Sequence, residues 1–172
     1  MTPLLFVGIF IFLLLILYFL NSNIQKRERI VSGLFLGFLT LSFMFNILFV
    51  VWNMGVEHPS SSIYRYGFVV NFFIICIAYK SFINISFLRK KDLILGAFIF
   101  SCIISAVYFK HYYFMEDEAL IIDYIYGISI FVIIYLALRF ERFKYHLLTL
   151  LIICHTFNIF TNIKTTKSNN PL

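Results

Sequence analysis

The chain has 172 residues, of which 62% are hydrophobic and only 13% are charged, and its formal net charge at pH 7 is +6. This composition excludes an ordinary water-soluble domain, which carries a far more even balance, and it indicates a membrane protein. One crossing of the hydrocarbon core takes about 20 apolar residues. Six crossings would use about 120 residues, so we expect no separate soluble domain.

Six apolar runs follow one another along the chain, separated by short polar segments. They cover residues 3–20, 30–52, 63–87, 93–108, 119–138 and 147–163. The first run lacks the charged start and the cleavage site of a signal peptide, so it is interpreted as a retained span. The sixth is the weakest, because polar residues interrupt it. The sequence predicts an all-α, polytopic membrane helix bundle with six transmembrane helices in a single transmembrane domain.

Basic residues are concentrated in alternate loops, and this pattern predicts the orientation of the chain. Loops one, three and five hold nine of the fourteen basic residues. These are Lys26, Arg27, Arg29, Arg89, Lys90, Lys91, Arg139, Arg142 and Lys144. Because Lys and Arg of short loops stay in the cytoplasm, both the N and the C terminus are predicted to be non-cytoplasmic. The expected location is a bacterial inner membrane, with an organelle inner membrane as the alternative.

Polar side chains recur at one depth in the predicted bundle. At about 1.5 Å per residue, a layer about 5–10 Å inside the outer boundary contains Asn46, Asn71, Ser105, Asp123 and Asn158, with His155 slightly deeper. One hypothesis is a polar cavity that opens to the outside, with Arg65, Glu116, Asp117 and Glu118 at its mouth. The alternative is hydrogen bonding between helices, which contributes about 1 kcal/mol per contact. His155 also fits a hydrogen-bonded core residue.

Small residues spaced four apart predict close helix packing in two spans. Gly33 and Gly37 form a G-x-x-x-G pattern in the second span, and Ala97, Ser101 and Ser105 form a similar ladder in the fourth. Packing within the monomer is the simpler interpretation, and contact in a homo-oligomer is the alternative. Lys80, in the third span, is expected to extend its amino group to the cytoplasmic interface, with a buried partner as the alternative.

No cofactor, metal site or catalytic residue is predicted. The three cysteines, Cys76, Cys102 and Cys154, lie near the middle of spans and are expected to pack as small apolar residues. No phosphate-binding glycine loop, metalloprotease motif or nucleophile motif occurs. The basic residues lie between apolar runs, so nucleic acid is not an expected partner. Expected partners are the lipid bilayer and either a second copy of the chain or a larger membrane complex.

Three functions fit these features. The first is a small-solute or ion channel or transporter whose route is lined by Asn46, Asn71, Asp123, His155 and Asn158. The second is a non-catalytic membrane module, such as an accessory subunit or an immunity, defence or sensor protein. The third is an intramembrane enzyme for a lipid-linked substrate, which would need a groove open to lipid. The lack of motifs makes an enzyme the least favoured of the three.

Overall fold

The computed structural model describes residues 8–42, 45, 67–109 and 117–140, together with positions 146, 149, 152, 153 and 156. Five α-helices lie in these ranges: α1 spans Ile9–Leu20, α2 Lys26–Leu41, α3 Gly67–Ile83, α4 Lys90–Phe109 and α5 Asp117–Arg139. A short 3-10 helix, Ile85–Phe87, follows α3. The described part of the chain contains no strand, which confirms the all-α prediction there.

Among the residues that the structure describes, two helical segments are long and apolar enough to cross a membrane. They are α4 and, within α5, the segment Ile121–Arg139. Helices α1 and α3 are also apolar but are shorter, at 12 and 17 residues. Large hydrophobic side chains face outward on these helices; Phe109, for example, is 83% exposed. Such surfaces are costly in water and suit the hydrocarbon core of a bilayer.

The connection between α1 and α2 is a compact turn at residues 21–25. The backbone N–H of Asn21 donates to the carbonyl of Leu17 and extends the last turn of α1. The Asn21 side chain then accepts a hydrogen bond from the N–H of Asn23 at 3.0 Å, the short-range bond by which asparagine favours turns. The structured turn allows α2 to begin at Lys26, ahead of the predicted start of the second span.

Helix α3 ends at Ile83, before the predicted end of the third span. The side chain of Asn84 donates to the carbonyl of Lys80 at 2.9 Å, and the backbone N–H of Asn84 donates to the same carbonyl at 3.3 Å. The backbone N–H of Phe87 then donates to the carbonyl of Asn84 at 3.1 Å, so the chain passes from the α-helix into a 3-10 turn at this residue. Leu88 is in an extended conformation, with ψ of 134°.

The chain divides into two compact units. The first contains Leu14–Leu88, as far as it is described, and has α2 packed against α3. Its core includes Tyr18, Ile24 and Ile77, with Phe19 and Phe73 packed around them. The rings of Phe35 and Phe73 meet edge to face, with centroids 4.7 Å apart. Aromatic and branched side chains from separate helices thus hold this unit together.

The second unit contains Gly8–Leu13 and Arg89–Leu172, as far as they are described, and has α4 packed against α5. Phe100 of α4 is fully buried. Its ring lies parallel to that of Tyr124 and is tilted against that of Phe131, each at 6.2 Å between centroids. Gly127 presents its backbone to the edge of the same ring. A large side chain opposite a glycine sets the contact between these helices.

Replacing Gly127 by valine is expected to destabilise the protein. A Cβ at this position would overlap Cε1 and Cζ of the Phe100 ring, so the ring or the helix has to move. Overpacking of this kind typically costs about 1–3 kcal/mol, which lowers the melting temperature by several degrees. Thermal unfolding of the detergent-purified protein measures the change.

Gly37→Ala is the matched control, because a Cβ at Gly37 would meet no atom within 4 Å. Alanine also favours the helix over glycine by about 1 kcal/mol. The control is therefore expected to melt at the wild-type temperature or above it. Equal melting temperatures for Gly127→Val and wild type would contradict the packing described for α4 and α5.

Candidate functional site

A polar cluster joins α1, α2 and α3 in the first unit, and it comprises Tyr18, Glu28, Ser32 and Lys80. The Tyr18 hydroxyl donates to Oε1 of Glu28 at 3.1 Å and lies 3.0 Å from Oγ of Ser32. Nζ of Lys80 pairs with the same Glu28 oxygen at 2.5 Å. Because tyrosine has one hydroxyl proton and gives it to Glu28, Ser32 is the donor in the second bond. Three helices are therefore joined through one carboxylate.

Sequence spacing accounts for part of this cluster. Glu28 and Ser32 are four residues apart and lie on one face of α2. Lys80 lies in the last turn of α3, where a cation also offsets the partial negative charge of the helix end. Sequence reasoning considered Lys80 but did not single out Glu28. The available signal was that Glu28 is the single acid in the basic segment KRER.

The electrostatics of the cluster favour an ionised Glu28. The hydrogen bond from Lys80 lowers the pKa of the Glu28 carboxyl from its ordinary value of 4.5, and the bond from Tyr18 acts in the same direction, while burial opposes both. The Lys80 side chain is 49% exposed and that of Glu28 is 35% exposed. Lys80 is thus paired with a carboxylate that is itself partly exposed, and its extension to the cytoplasmic interface stays a prediction.

A second set of hydrogen bonds fixes the turns at the same end of the first unit. Asn21, which is fully buried, donates through Nδ2 to the carbonyl of Asn84 at 3.1 Å. Nδ2 of Asn23 lies 3.4 Å from Oδ1 of Asn84. Arg29 donates to the carbonyl of Phe19 at 2.7 Å and so satisfies an acceptor at the end of α1. The turn after α1 is therefore held to the turn after α3.

The predicted polar layer is divided between the two units. Asn71 lies in α3 and is half-buried, whereas Ser105 lies in α4 and Asp123 in α5. Asn46, His155 and Asn158 lie outside the described residues, as do Arg65 and Glu116. Asp117 and Glu118 begin α5, where only the backbone is described. In the second unit, the described residues include Ser105 and Asp123 of this layer.

Asp123 continues the buried stripe of α5 toward the predicted outer end. This stripe is formed at helical spacing by Gly127, Ile130, Phe131, Ile134 and Ala137. Asp123 precedes Gly127 by one turn on the same face, and it is half-buried. A carboxylate on the packed face of an apolar helix is costly, because few groups there can replace its hydration.

Ser105 lines an open cavity of about 240 Å³ on the flank of α4 and α5. The remaining lining residues are apolar or aromatic, and they are Ile104, Tyr108, Phe109, Ile121 and Tyr124. Asp123 is not among them. The cavity is thus a mainly apolar groove with two phenol groups and one serine, distinct from the face that carries Asp123.

Several hydroxyl groups within the helices bond to their own helix. Thr40 donates to the carbonyl of Leu36 at 2.9 Å, Ser101 to that of Ala97 at 2.9 Å, and Ser129 to that of Tyr126 at 2.7 Å. Such bonds satisfy a hydroxyl in an apolar environment without a second helix. Ser101 also lies 3.4 Å from the Tyr124 hydroxyl, which adds a link between α4 and α5.

The predicted packing glycines of α2 have different surroundings. A Cβ on Gly33 would lie 3.3 Å from the ring of Phe19, so this glycine faces α1 closely. Gly37, one turn later, faces open space. Cys76 and Cys102 are exposed free thiols, and the described residues contain no group of three side chains suited to a metal ion.

Removing Lys80 is expected to weaken the first unit by a small amount that depends on pH. Because the pair is partly exposed, its contribution is about 0.2–1 kcal/mol. The folded pKa of Glu28 is lowered, so this contribution is present above pH 4.5 and is lost as the pH falls through the folded value. Melting temperatures of wild type and Lys80→Met at pH 7 and pH 3.5 test this, with the difference expected at pH 7 and reduced at pH 3.5.

Lys91→Met is the control, since Lys91 is an exposed basic residue outside this cluster. A double-mutant cycle with Glu28→Gln isolates the coupling between Glu28 and Lys80. No coupling at pH 7, or a Lys80→Met effect that persists unchanged at pH 3.5, would contradict the assignment of the ion pair.

Comparison with known proteins places these features in a family. A sequence profile described as "Bacterial membrane protein YfhO" matches residues 1–171. No curated protein matches the chain, and no solved structure matches it. The family match agrees with the apolar helices and supports a location in the membrane. Because the match extends over nearly all of the 172 residues, the chain belongs to the bacterial membrane protein YfhO family.

Proposed function

We propose that the chain crosses a bacterial inner membrane six times, with both termini on the non-cytoplasmic side. The hydrogen bonds from Asn21 and Asn23 to Asn84 support this topology, because they hold the first and third loops together at one end of the first unit. Two intervening spans, the second and the third, would return the chain to the same side. The basic residues that flank these two loops give that side a cytoplasmic orientation.

Reporter fusions test this topology. An enzyme reporter that is active only outside the cytoplasm is expected to be active when it is fused at Leu172, and inactive after Leu138 or Leu88. An active reporter after Leu88 would contradict the orientation. An inactive reporter at Leu172 would instead support a five-span protein in which the last segment does not cross.

Within this topology we propose the passage of a small solute or ion through a polar cavity in the outer half of the bundle. Asp123 is the observation that carries the proposal. Its position extends the buried stripe of α5 by one turn, and its side chain is half-buried. Ionisable groups retained at such positions commonly serve ion or solute pathways. Within the same unit, His155 and Asn158 would complete the lining, and Glu116, Asp117 and Glu118 would form its outer mouth.

Reconstituted vesicles test this activity directly. Purified protein is expected to speed the entry of a small neutral probe such as urea, or of K⁺ or Cl⁻, into liposomes. Asp123→Asn is expected to reduce the rate at least tenfold, because the charge on the packed face is lost, and His155→Ala is expected to reduce it as well. Ser129→Ala is the control, since Ser129 is exposed on the same helix and bonds only to its own backbone.

Equal flux in protein-containing and protein-free liposomes for all of these probes would rule out the proposed transport. Unchanged flux in Asp123→Asn would rule out the role of Asp123 while leaving transport itself intact. The two results therefore separate the activity from the residue to which it is assigned.

The groove beside Ser105 favours a second candidate, an enzyme or carrier for a lipid-linked substrate. Its volume of about 240 Å³ and its apolar and aromatic lining suit a hydrocarbon chain better than a hydrated ion. Ser105→Trp would fill the groove. This change is expected to displace a photoreactive lipid probe from α4 if the groove binds lipid chains, and to leave urea or ion flux unchanged if transport follows the Asp123 face.

A non-catalytic module is the third possibility, and open space around Gly37 supports it. A glycine that meets no neighbour among the described residues leaves room for a helix of a second copy or of a partner subunit. Copurification of a partner after mild detergent extraction, and its loss in Gly37→Leu, would favour this role over transport by the chain alone.

A further inference from the structure

A basic surface lies at the start of α2, beside the turn that follows α1. Lys26 and Arg27 are both exposed there. In the described part of the first unit, Glu28 is the single carboxylate, and it is paired with Lys80. Arg29 uses part of its guanidinium on the carbonyl of Phe19. The charges of Lys26 and Arg27 are therefore left uncompensated by any described acid of this unit.

The same face of α2 becomes apolar within one turn. Lys26 is followed four residues later by Ile30, and Arg27 by Val31; these side chains are 51% and 57% exposed. Leu34, one further turn along, is 70% exposed. One helical turn is about 5.4 Å, so a charged band and a hydrocarbon-like band lie directly next to each other on one exposed face.

This arrangement is complementary to the boundary between the headgroups and the acyl chains of a lipid layer. The apolar band suits acyl chains, and the two cations lie where phosphate groups would be. The first turn of α2 adds to the attraction, because Gln25 provides no side-chain cap and the free N–H groups carry partial positive charge. A soluble acidic protein or a nucleic acid would match the charges but would leave the adjoining apolar band in water.

We propose that Lys26 and Arg27 form a binding surface for the phosphate groups of anionic phospholipids, with Ile30 and Val31 against the acyl chains of the same lipids. The role of Glu28 and Lys80 in this surface is indirect. By pairing with each other, they remove the one described acid that would otherwise neutralise Lys26 or Arg27. Lipid binding at this surface depends on neither transport nor catalysis, so its test is independent of the proposed function.

The test uses the full chain, purified in mild detergent and titrated with phosphatidylglycerol or with phosphatidylcholine. Binding is followed as the rise in melting temperature with lipid concentration. Phosphatidylglycerol is expected to stabilise the wild type at lower concentration than phosphatidylcholine does, and added NaCl is expected to reduce the difference. A basic residue near an anionic surface contributes about 1 kcal/mol. The double variant Lys26→Gln/Arg27→Gln is therefore expected to need about 30-fold more phosphatidylglycerol for the same rise.

Two comparisons make the result specific. The double variant Lys164→Gln/Lys167→Gln removes the same charge from the C-terminal tail and is expected to respond to phosphatidylglycerol as the wild type does. Inorganic phosphate and glycerol phosphate at matched concentrations are expected to give no comparable rise. Equal responses from the two double variants, or a full response to free phosphate, would overturn the proposal. Melting temperatures in phosphatidylcholine show whether each variant is folded.

Discussion

A polar group placed among apolar helices has to find its hydrogen-bond partner inside the protein, and most of the polar groups described above meet this constraint; the buried Oγ of Ser81 and Nε of Arg29 are exceptions. Hydroxyls of α2, α4 and α5 bond back to their own helices. The Tyr18 hydroxyl, which is buried near the end of α1, is satisfied by Glu28 and Ser32 of α2, and Lys80 of α3 completes the set. The asparagines of the two adjacent turns pair with each other and with backbone. Each bond that satisfies such a group also ties one element to another.

The two units use different means to hold their helices together. In the first unit, polar bonds at one end combine with an aromatic and aliphatic core further along the helices. In the second, the contact between α4 and α5 depends on one buried ring, Phe100, which lies between Tyr124, Gly127 and Phe131. The family match accounts for the membrane setting of both. Within that setting, Asp123 does not line the groove beside Ser105, and the two features suggest different ligands.

Sequence reasoning could predict the helices because hydropathy is a local property. The apolar runs at residues 93–108 and 119–138 lie inside α4 and α5. It could not predict that α3 ends at Ile83, because a change from an α-helix to a 3-10 turn within an apolar run has no signature in hydropathy. It also missed Glu28, because the partner of Lys80 lies more than fifty positions away in the chain. The polar layer was inferred from predicted depth alone, and depth does not say which way a side chain faces; Ser105 and Asp123 share a predicted depth, but Ser105 lines the groove and Asp123 does not.

The close approach of the Phe100 ring to Gly127 limits how α4 and α5 can move relative to each other. The position opposite the Phe100 ring accepts a residue without a Cβ, and the flanking positions on α5 carry full side chains. Sliding one helix past the other by a residue would bring a side chain against the ring, so the pair has one preferred axial register. If these helices move during function, a rigid-body movement of α4 and α5 together therefore costs less than sliding of one helix along the other.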